Sequence, residues 1–451
     1  MHVTMRGTLA YTGDSAQSPT RHGIRFHRLV EEVVKARKAR GRKILAAIAS
    51  TVLAAAIVLL KTRNVVSFWY DPLIQIYSIG AAVYVVSRVG FSLLYREPKD
   101  NGLFKSVTMI IAVKNEELNI AATIERCFAS HYPSHLMEVI VIDDGSTDGT
   151  WDVLTRLQAT YPGLNLFRFA QNKGKRHAMA LGAQKASGEI LIYLDSDSMV
   201  DPEGFYRIVQ PFADPSVGAV AGHTLMIVEH DNFISKMETV RYYVSQRVMK
   251  AAESIFGAVT CCPGPFSAYR RDAVMQILEP WLNQRFMGTA ATFGDDRSLT
   301  NFILRRYRVL YHSGARCSTF APNRWKTFIL QQLRWKKSWV RETTIAVRWM
   351  WREHPFAALS YYFSIVITLV SPLIVLRAFF YSPIILQAHA YVPYMAGLML
   401  VFLFLGLVYY YHTQSRYWYY GVAFAILYGC FFCLQNYYAI LTVRQNHWGT
   451  R

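Results

Sequence analysis

Two aspartates, Asp195 and Asp197, stand just past the apolar run Ile190-Leu191-Ile192-Tyr193-Leu194. Such a run reads as a buried central strand, and open α/β sheets bind ligands at the carboxyl ends of their strands. Strand side chains repeat every second residue, so the spacing predicts that both carboxylates share a face. Paired hard oxygen ligands suit Mg2+ or Mn2+, which takes one or two carboxylates together with the phosphates of a substrate. A solvated strand-end turn is the plain alternative for a lone Asp-x-Asp, and its company in the chain has to decide.

That company has chemistry of its own. Residues 141–150 end a strand in Asp143-Asp144-Gly145, where an aspartate can accept from a base or ribose edge and glycine lets backbone approach a ligand. The following Asp148-Gly149-Thr150 equally fits turn and helix-cap chemistry. Lys173-Gly174-Lys175-Arg176-His177 supplies cations fit to neutralise a diphosphate. Phe293-Gly294-Asp295-Asp296-Arg297 sets an acid pair at the start of a helical stretch, suited to a general base or to capping that helix. In Gln331-Gln332-Leu333-Arg334-Trp335, helical spacing puts Gln331, Arg334 and Trp335 on one face. They offer a donor, a cation for a pyrophosphate leaving group and a flat ring for stacking on a sugar; plain anchoring at a membrane interface is the alternative.

The elements that must position these groups alternate in type. Between 105 and 322, short apolar runs at 107–113, 137–142, 164–169 and 190–194 are separated by helix-length polar segments, among them 150–160 and 176–186. This predicts a parallel sheet with crossover helices. On either side the chain is too apolar for an ordinary soluble enzyme, with 52% hydrophobic residues overall. Segment 1–43 is polar and then basic, carrying nine Lys/Arg between Arg21 and Lys43. Residues 44–60 and 73–94, the latter broken only by Arg88, make two transmembrane helices within 44–95, long enough to cross a core of ~30 Å. The basic flank places the N-terminus in the cytosol, and the second crossing returns the chain there. Residues 323–355 mix Trp with Lys and Arg as an amphipathic interface segment, and 356–443 holds further transmembrane runs at 356–380, 391–411 and 417–443. Polar Gln435-Asn436 is the expected break in the last of these, and 444–451 is a short tail.

The net charge of +19 fits anionic lipid and an anionic substrate. Nucleic acid is excluded as a partner, since the basic residues flank membrane segments rather than a nucleic-acid-binding motif. Six cysteines, with Cys261 and Cys262 adjacent and Cys430 and Cys433 inside an apolar run, make no disulfide framework. The middle of the chain is expected to be cytosolic and reduced.

Asp-Asp-Gly, Asp-Ser-Asp, Gly-Asp-Asp and Gln-x-x-Arg-Trp, in this order, resemble the processive family 2 glycosyltransferases: cellulose, chitin and hyaluronan synthases. The resemblance covers about residues 105–345 closely and the flanking helices in layout. Gly294-Asp295-Asp296-Arg297-Ser298-Leu299-Thr300-Asn301, Arg334-Trp335-Lys336-Lys337-Ser338-Trp339 with Arg341-Glu342, and Trp448-Gly449-Thr450-Arg451 are similar to stretches of hyaluronan synthases. It implies an integral membrane α-helical bundle plus a cytosolic α/β GT-A (Rossmann-like) domain with amphipathic interface helices. It further implies an inverting enzyme of the plasma (inner) membrane, multi-pass, that polymerises UDP-sugars, UDP-GlcNAc and UDP-GlcA, and exports the growing polysaccharide without an obligate protein partner. A chitin-type synthase using UDP-GlcNAc alone, or a capsule synthase with other UDP-sugars, is the nearest alternative; a transporter with a vestigial transferase domain is another of a different class.

Carried over by motif, Asp143 and Asp144 contact the nucleotide, Asp195 the nucleotide-sugar, and Asp197 the Mg2+ or Mn2+ ion. Asp296 is the base that deprotonates the acceptor, and Gln331, Arg334 and Trp335 hold acceptor and diphosphate. Lys175, Arg176, Trp448 and Arg451 are expected at the donor, and Cys262, Gly264 and Pro265 at the acceptor. Lys114-Asn115-Glu116 replaces the usual Tyr-Asn-Glu, and Pro263 stands where the family tends to have Ser.

Overall fold

The computed structural model describes residues 39–59 and 71–445. Helices α1 (Ala39–Leu59) and α2 (Pro72–Leu94) come first. An α/β unit follows: β1 (Val107–Val113), α3 (Ile120–Phe128), β2 (Met137–Asp143), α4 (Thr150–Thr160), β3 (Leu164–Arg168), α5 (Lys175–Lys185) and β4 (Ile190–Asp195). It continues through β5 (Met199–Val200), α6 (Gly204–Val209), β6 (Val217–Ile227), α7 (Phe233–Val244), α8 (Ala251–Ser254), β7 (Ser267–Arg270) and α9 (Arg271–Leu282). The hairpin β8 (Arg285–Phe286) and β9 (Thr289–Ala290), then α10 (Asp295–Leu304) and β10 (Arg308–Phe320), complete it. Helices α11 (Trp325–Ala346), α12 (Pro355–Leu376), α13 (Ser382–Ile384), α14 (Tyr391–Thr413), α15 (Tyr420–Leu427) and α16 (Gln435–Leu441) close the chain.

The sheet is mixed rather than parallel throughout, with strand order β3-β2-β1-β4-β7-β6-β10-β5. The parallel expectation holds for β3, β2, β1 and β4 and again for β6 with β10, while β7 and β5 run antiparallel to their neighbours. These two strands are short, four and two residues, and so carry no periodic signal. Valine and isoleucine fill the central strands, as a sheet covered on both faces requires. Side chains of β4 alternate: Ile190, Ile192 and Leu194 pack with Ile120, Ile124 and Phe205 on one face, and Leu191 and Tyr193 with Ala178, Ala183 and Trp281 on the other. Register sets Asp143 opposite Val113 and Asp195 opposite Ala112, so both acids leave the sheet at one edge, on either side of β1.

Helices 39–59, 72–94, 355–384 and 391–413 are long and apolar enough to cross a membrane, and this is a membrane protein. Asp71 starts α2 as its N-cap, accepting from the N–H groups of Leu73 and Ile74, with Pro72 at the first helical position. Its carboxylate also pairs with Arg377 Nε at 2.7 Å, tying α2 to the end of α12. Run 417–443 is no further long helix. A π turn over Tyr428–Phe432 and a turn at 433–434 divide it into α15 and α16. The division comes beside Gln435 and Asn436, whose side chains donate to Ile329 O at 3.1 Å and Thr368 O at 3.4 Å. Polar side chains in an apolar run find their acceptors on α11 and α12.

Helix α5 lies directly on β1 and β2 at Gly182, where an added Cβ would sit 2.4 Å from Ile110 Cγ2 and 3.0 Å from Ile142 Cδ1. Gly182→Ala should therefore lower the stability of the α/β unit by about 1–2 kcal/mol, overpacking outweighing the gain in helix propensity. A lower melting temperature by scanning fluorimetry is the expected result.

Candidate active site

One cavity of about 1570 Å³ collects most of the chemistry-bearing residues. Asp144, Lys175, Asp195, Asp197 and Asp296 line it from the sheet side, Gly264 and Pro265 from the β7 approach, and Gln331, Arg334 and Trp335 from α11. The same cavity continues past Tyr84 and Arg88 of α2, Ser360 and Ser364 of α12, and Tyr394 of α14.

At the end of β2 the two aspartates part company. Asp143, expected at the nucleotide, is fully buried and does not line the cavity. One oxygen accepts from Ser146 N–H at 2.9 Å and the other pairs with Arg168 Nε at 3.0 Å, an internal brace for the turn. Asp144 faces the cavity and accepts from Lys173 N–H at 2.7 Å and Gly174 N–H at 3.0 Å. Burial pushes its carboxyl up, against the pull of those two donors. Gly145 follows at φ +70, where an added Cβ would stand 2.8 Å from Asn172 N, so only glycine fits the turn. Asn115 clasps the same turn, donating its N–H to Ser146 Oγ at 3.0 Å and accepting from Thr147 N–H at 2.9 Å.

Asp195 ends β4 and Asp197 lies in the turn beyond it, so strand alternation does not reach the second acid. Lys175 Nζ, at the start of α5, pairs with Asp195. Burial alone would lower the Lys175 pKa, but Asp195, with Asp295 and Asp296 near, raises it overall. Burial and the Asp195 charge push the Asp197 carboxyl up to about 6, with a hydrogen bond from Thr319 offsetting part. Gly264 crosses over Asp195, close enough that an added Cβ would lie 3.2 Å from its Oδ2.

The acid pair before α10 divides by burial instead. Asp295 and Asp296 both border the cavity, but Asp295 is buried against Arg176, whose Nε stands 2.7 Å from its Oδ1, while Asp296 is partly exposed. Arg176 borders the same cavity and is almost wholly buried, with its charge engaged by Asp295. Cys262, expected at the acceptor, packs in the core with its N–H donating to Thr300 Oγ1 at 2.9 Å. Its neighbour Cys261 lines the cavity instead, with Sγ 3.8 Å from Asp296 Oδ2. Burial pushes the Cys261 thiol up to about 11, which removes thiolate chemistry from this site.

On α11, Gln331 Oε1 is buried without a hydrogen-bond partner, and Trp335 is backed by Tyr242 at 6.2 Å and the Arg241 guanidinium at 5.3 Å. Arg241 is itself fixed by Glu238, Nε to Oε2 at 2.7 Å. Sequence reading missed Arg241, Tyr242 and Cys261, and no spacing links α7 to α11. Trp448 and Arg451 lie outside the described residues. The chain approaching them is held to α11, where Lys337 Nζ donates to Gln445 O at 3.4 Å and Lys336 Nζ to Phe432 O.

Residues 108–278 match the family described as Glycosyl transferase family 2. Over 388 residues the chain is 30% identical to the hyaluronan synthase of Streptococcus pyogenes, covering 84% of this chain and 91% of that protein. It is 33% identical over 270 residues to an N-acetylglucosaminyltransferase of Rhizobium meliloti, 58% of this chain and 62% of that one. Among solved structures, the mannosyltransferase PcManGT from Pyrobaculum calidifontis, in complex with GDP-Man and Mn2+, aligns with a TM-score of 0.53 at 20% identity, covering 82% of this chain and 100% of that one. The curled mixed sheet with its helices is a GT-A fold.

The raised Asp197 carboxyl has a measurable sign. Because its folded value lies above the ordinary 3.8, the folded protein binds an extra proton between about pH 4 and 6, and stability falls as pH rises through that window. Without added metal, Asp197→Asn should melt above wild type at about pH 7, and the gap should close as pH falls toward about 4.

Proposed function

The chain belongs to glycosyl transferase family 2, together with the hyaluronan synthases, and we propose that it is a processive polymerase taking UDP-GlcNAc and UDP-GlcA in alternation and passing the polymer out through its own membrane helices. It is an inverting glycosyltransferase. The single observation that carries the finer reading is the shared cavity: Asp195, Asp197, Asp296 and the Gln331–Trp335 face line one space that runs on between α2, α12 and α14.

Under this reading, Asp144 and the turn it holds receive the nucleotide. Asp195 and Asp197 fit a divalent cation, Mg2+ or Mn2+, as two nearby carboxylates whose charges oppose each other, with Lys175 paired to Asp195. When bound, the ion supplies positive charge to the diphosphate. Asp296 takes the proton of the acceptor hydroxyl, whose oxygen attacks the anomeric carbon from the face opposite the diphosphate. The bond to the diphosphate oxygen breaks, the configuration inverts and UDP leaves, its charge met by Lys175 and Arg334. Trp335 gives the acceptor sugar a flat surface, and Gln331, with its unpartnered oxygen, a hydrogen bond. Gly264 and Pro265 shape the wall opposite.

A polymer dense in hydroxyls cannot enter hydrocarbon without losing its water. The hydroxyls of Tyr84, Ser360 and Ser364 along the cavity offer a polar route. Arg88, Lys250 and Arg297 line the stretch beyond Asp296 with Glu253 as the acid among them, and this excess of cations favours a polymer carrying carboxylates. Similarity to an N-acetylglucosaminyltransferase supports the second reading, a chitin-type synthase with UDP-GlcNAc alone. The enzyme sits in the inner membrane as a multi-pass protein with its α/β unit in the cytosol, acting without an obligate partner. Anchoring of Phe432, Gln435 and Gln445 to α11 supports a cytosolic tail, with Trp448 and Arg451 at the donor.

Purified protein supplied with labelled UDP-sugars singly and together separates the two products: polymer from both donors is expected, and polymer from UDP-GlcNAc alone would favour the chitin reading. Asp296→Asn should slow UDP release by about 10²–10⁴-fold, the usual worth of a positioned base. Protease added to sealed inside-out vesicles should reach the tail, whereas cleavage from the outer face would reverse its assignment.

A further inference from the structure

We infer that Arg176 and Asp295 are positioning residues, whose buried ion pair, locked to α11 through Gln284, Glu342 and Arg341, holds the backbone that aims Asp296 into the cavity. The inference rests on the reading of Asp296 as the base.

Every residue leading to Asp296 is fixed from a different side. Phe293 offers its carbonyl to Arg341 Nη2. Gly294 adopts φ +71 against α11, where an added Cβ would fall 1.9 Å from Ser338 Oγ, so no other residue passes there. Asp295 meets Arg176, and the guanidinium also donates from Nη1 to Trp281 O at 3.0 Å and Gln284 Oε1 at 3.1 Å while lying on the Trp281 ring. Gln284 passes the link onward, Nε2 to Glu342 Oε1 at 3.1 Å, and Arg341 Nε closes it on the same oxygen at 2.7 Å. Asn301, later on α10, donates to Glu342 Oε2 at 3.1 Å.

Charge separates positioning from substrate binding here. Arg176 and Arg341 are matched by Asp295 and Glu342, all four buried, so the network is neutral without a ligand. A cation so matched has no charge left for a diphosphate, and its remaining Nη2 is sealed from solvent. Lys175, one residue earlier, borders the same cavity as Arg176 but keeps 26% of its side chain exposed against 3% for Arg176.

The test compares full-length wild type, Asp296→Asn, Arg176→Lys and the double variant Arg176→Gln/Asp295→Asn, which leaves no unpaired buried charge. Each is measured for melting temperature, affinity for UDP with Mn2+, and kcat and donor KM of UDP release. A displaced base predicts UDP affinity and KM within about twofold of wild type and a kcat fall of about 100-fold in the double variant, the cost of misplacement by about 1 Å. Arg176→Lys keeps the charge but cannot reach Asp295, Trp281 and Gln284 together, so kcat should fall about tenfold with UDP affinity unchanged; it decides alone should the double variant not fold. Wild-type kcat in the variant measured, or a tenfold loss of UDP affinity with kcat retained, would overturn the inference. Activity surviving in Asp296→Asn would instead defeat the reading of the base beneath it.

Discussion

Four carboxylates share one small region of this protein, and like charges out of water must be matched or they neutralise. Asp195 and Asp295 are matched from a single source, the first two residues of α5, where Lys175 reaches one and Arg176 the other. Cations at a helix N-terminus oppose the helix dipole, and α5 has no acidic residue in its first turn. The local rule is broken for the sake of the site. Asp144 repairs part of the damage: its carboxylate accepts the Gly174 N–H at the N-cap, placing a negative charge where the dipole wants one. The same short element therefore joins the end of β2, the end of β4 and the start of α10.

Helix α11 does for the membrane side what α5 does for the sheet. One stretch of it faces the cavity through Gln331, Arg334 and Trp335; the next turns Ser338, Arg341 and Glu342 toward the segment before α10. Lys336 and Lys337 fasten the closing part of the chain to it. A change in the seating of α11 must be felt at the Gln331–Trp335 face and at Asp296 together, since one helix carries the contacts of both.

The motifs were legible in the sequence because each gathers unlike chemistry within a few residues, and the alternation of apolar runs gave the parallel half of the sheet. What could not be read was which member of an adjacent pair is buried and which is left to the cavity. Asp144 and Cys261 border the cavity where Asp143 and Cys262 do not; Lys175 with Arg176 and Asp296 with Asp295 all border it, but Arg176 and Asp295 are the buried members and pair with each other. The inner member is held by a partner distant in the chain: Arg168 for Asp143 and Asp295 for Arg176. Periodicity places a pair at a strand end or helix start and is silent on its rotation. The antiparallel strands were invisible for a different reason, being too short to show any period.

Residues that look like flaws in an apolar helix are accounted for by the same cavity. In α2, Ser78, Tyr84 and Arg88 interrupt a run otherwise fit for lipid, and all of them line the interior space. Leu73, Ile76 and Val83 are exposed on the outer side. Hydroxyls and a guanidinium are costly in hydrocarbon, so a helix that keeps them on one face must turn that face to protein or water. In α12, Ser360, Ser364 and Thr368 repeat the arrangement at helical spacing, while Leu359, Val366 and Leu373 face out. Two helices that keep their hydroxyls and guanidinium toward the shared cavity and their leucines and valines away from it keep those polar groups out of hydrocarbon.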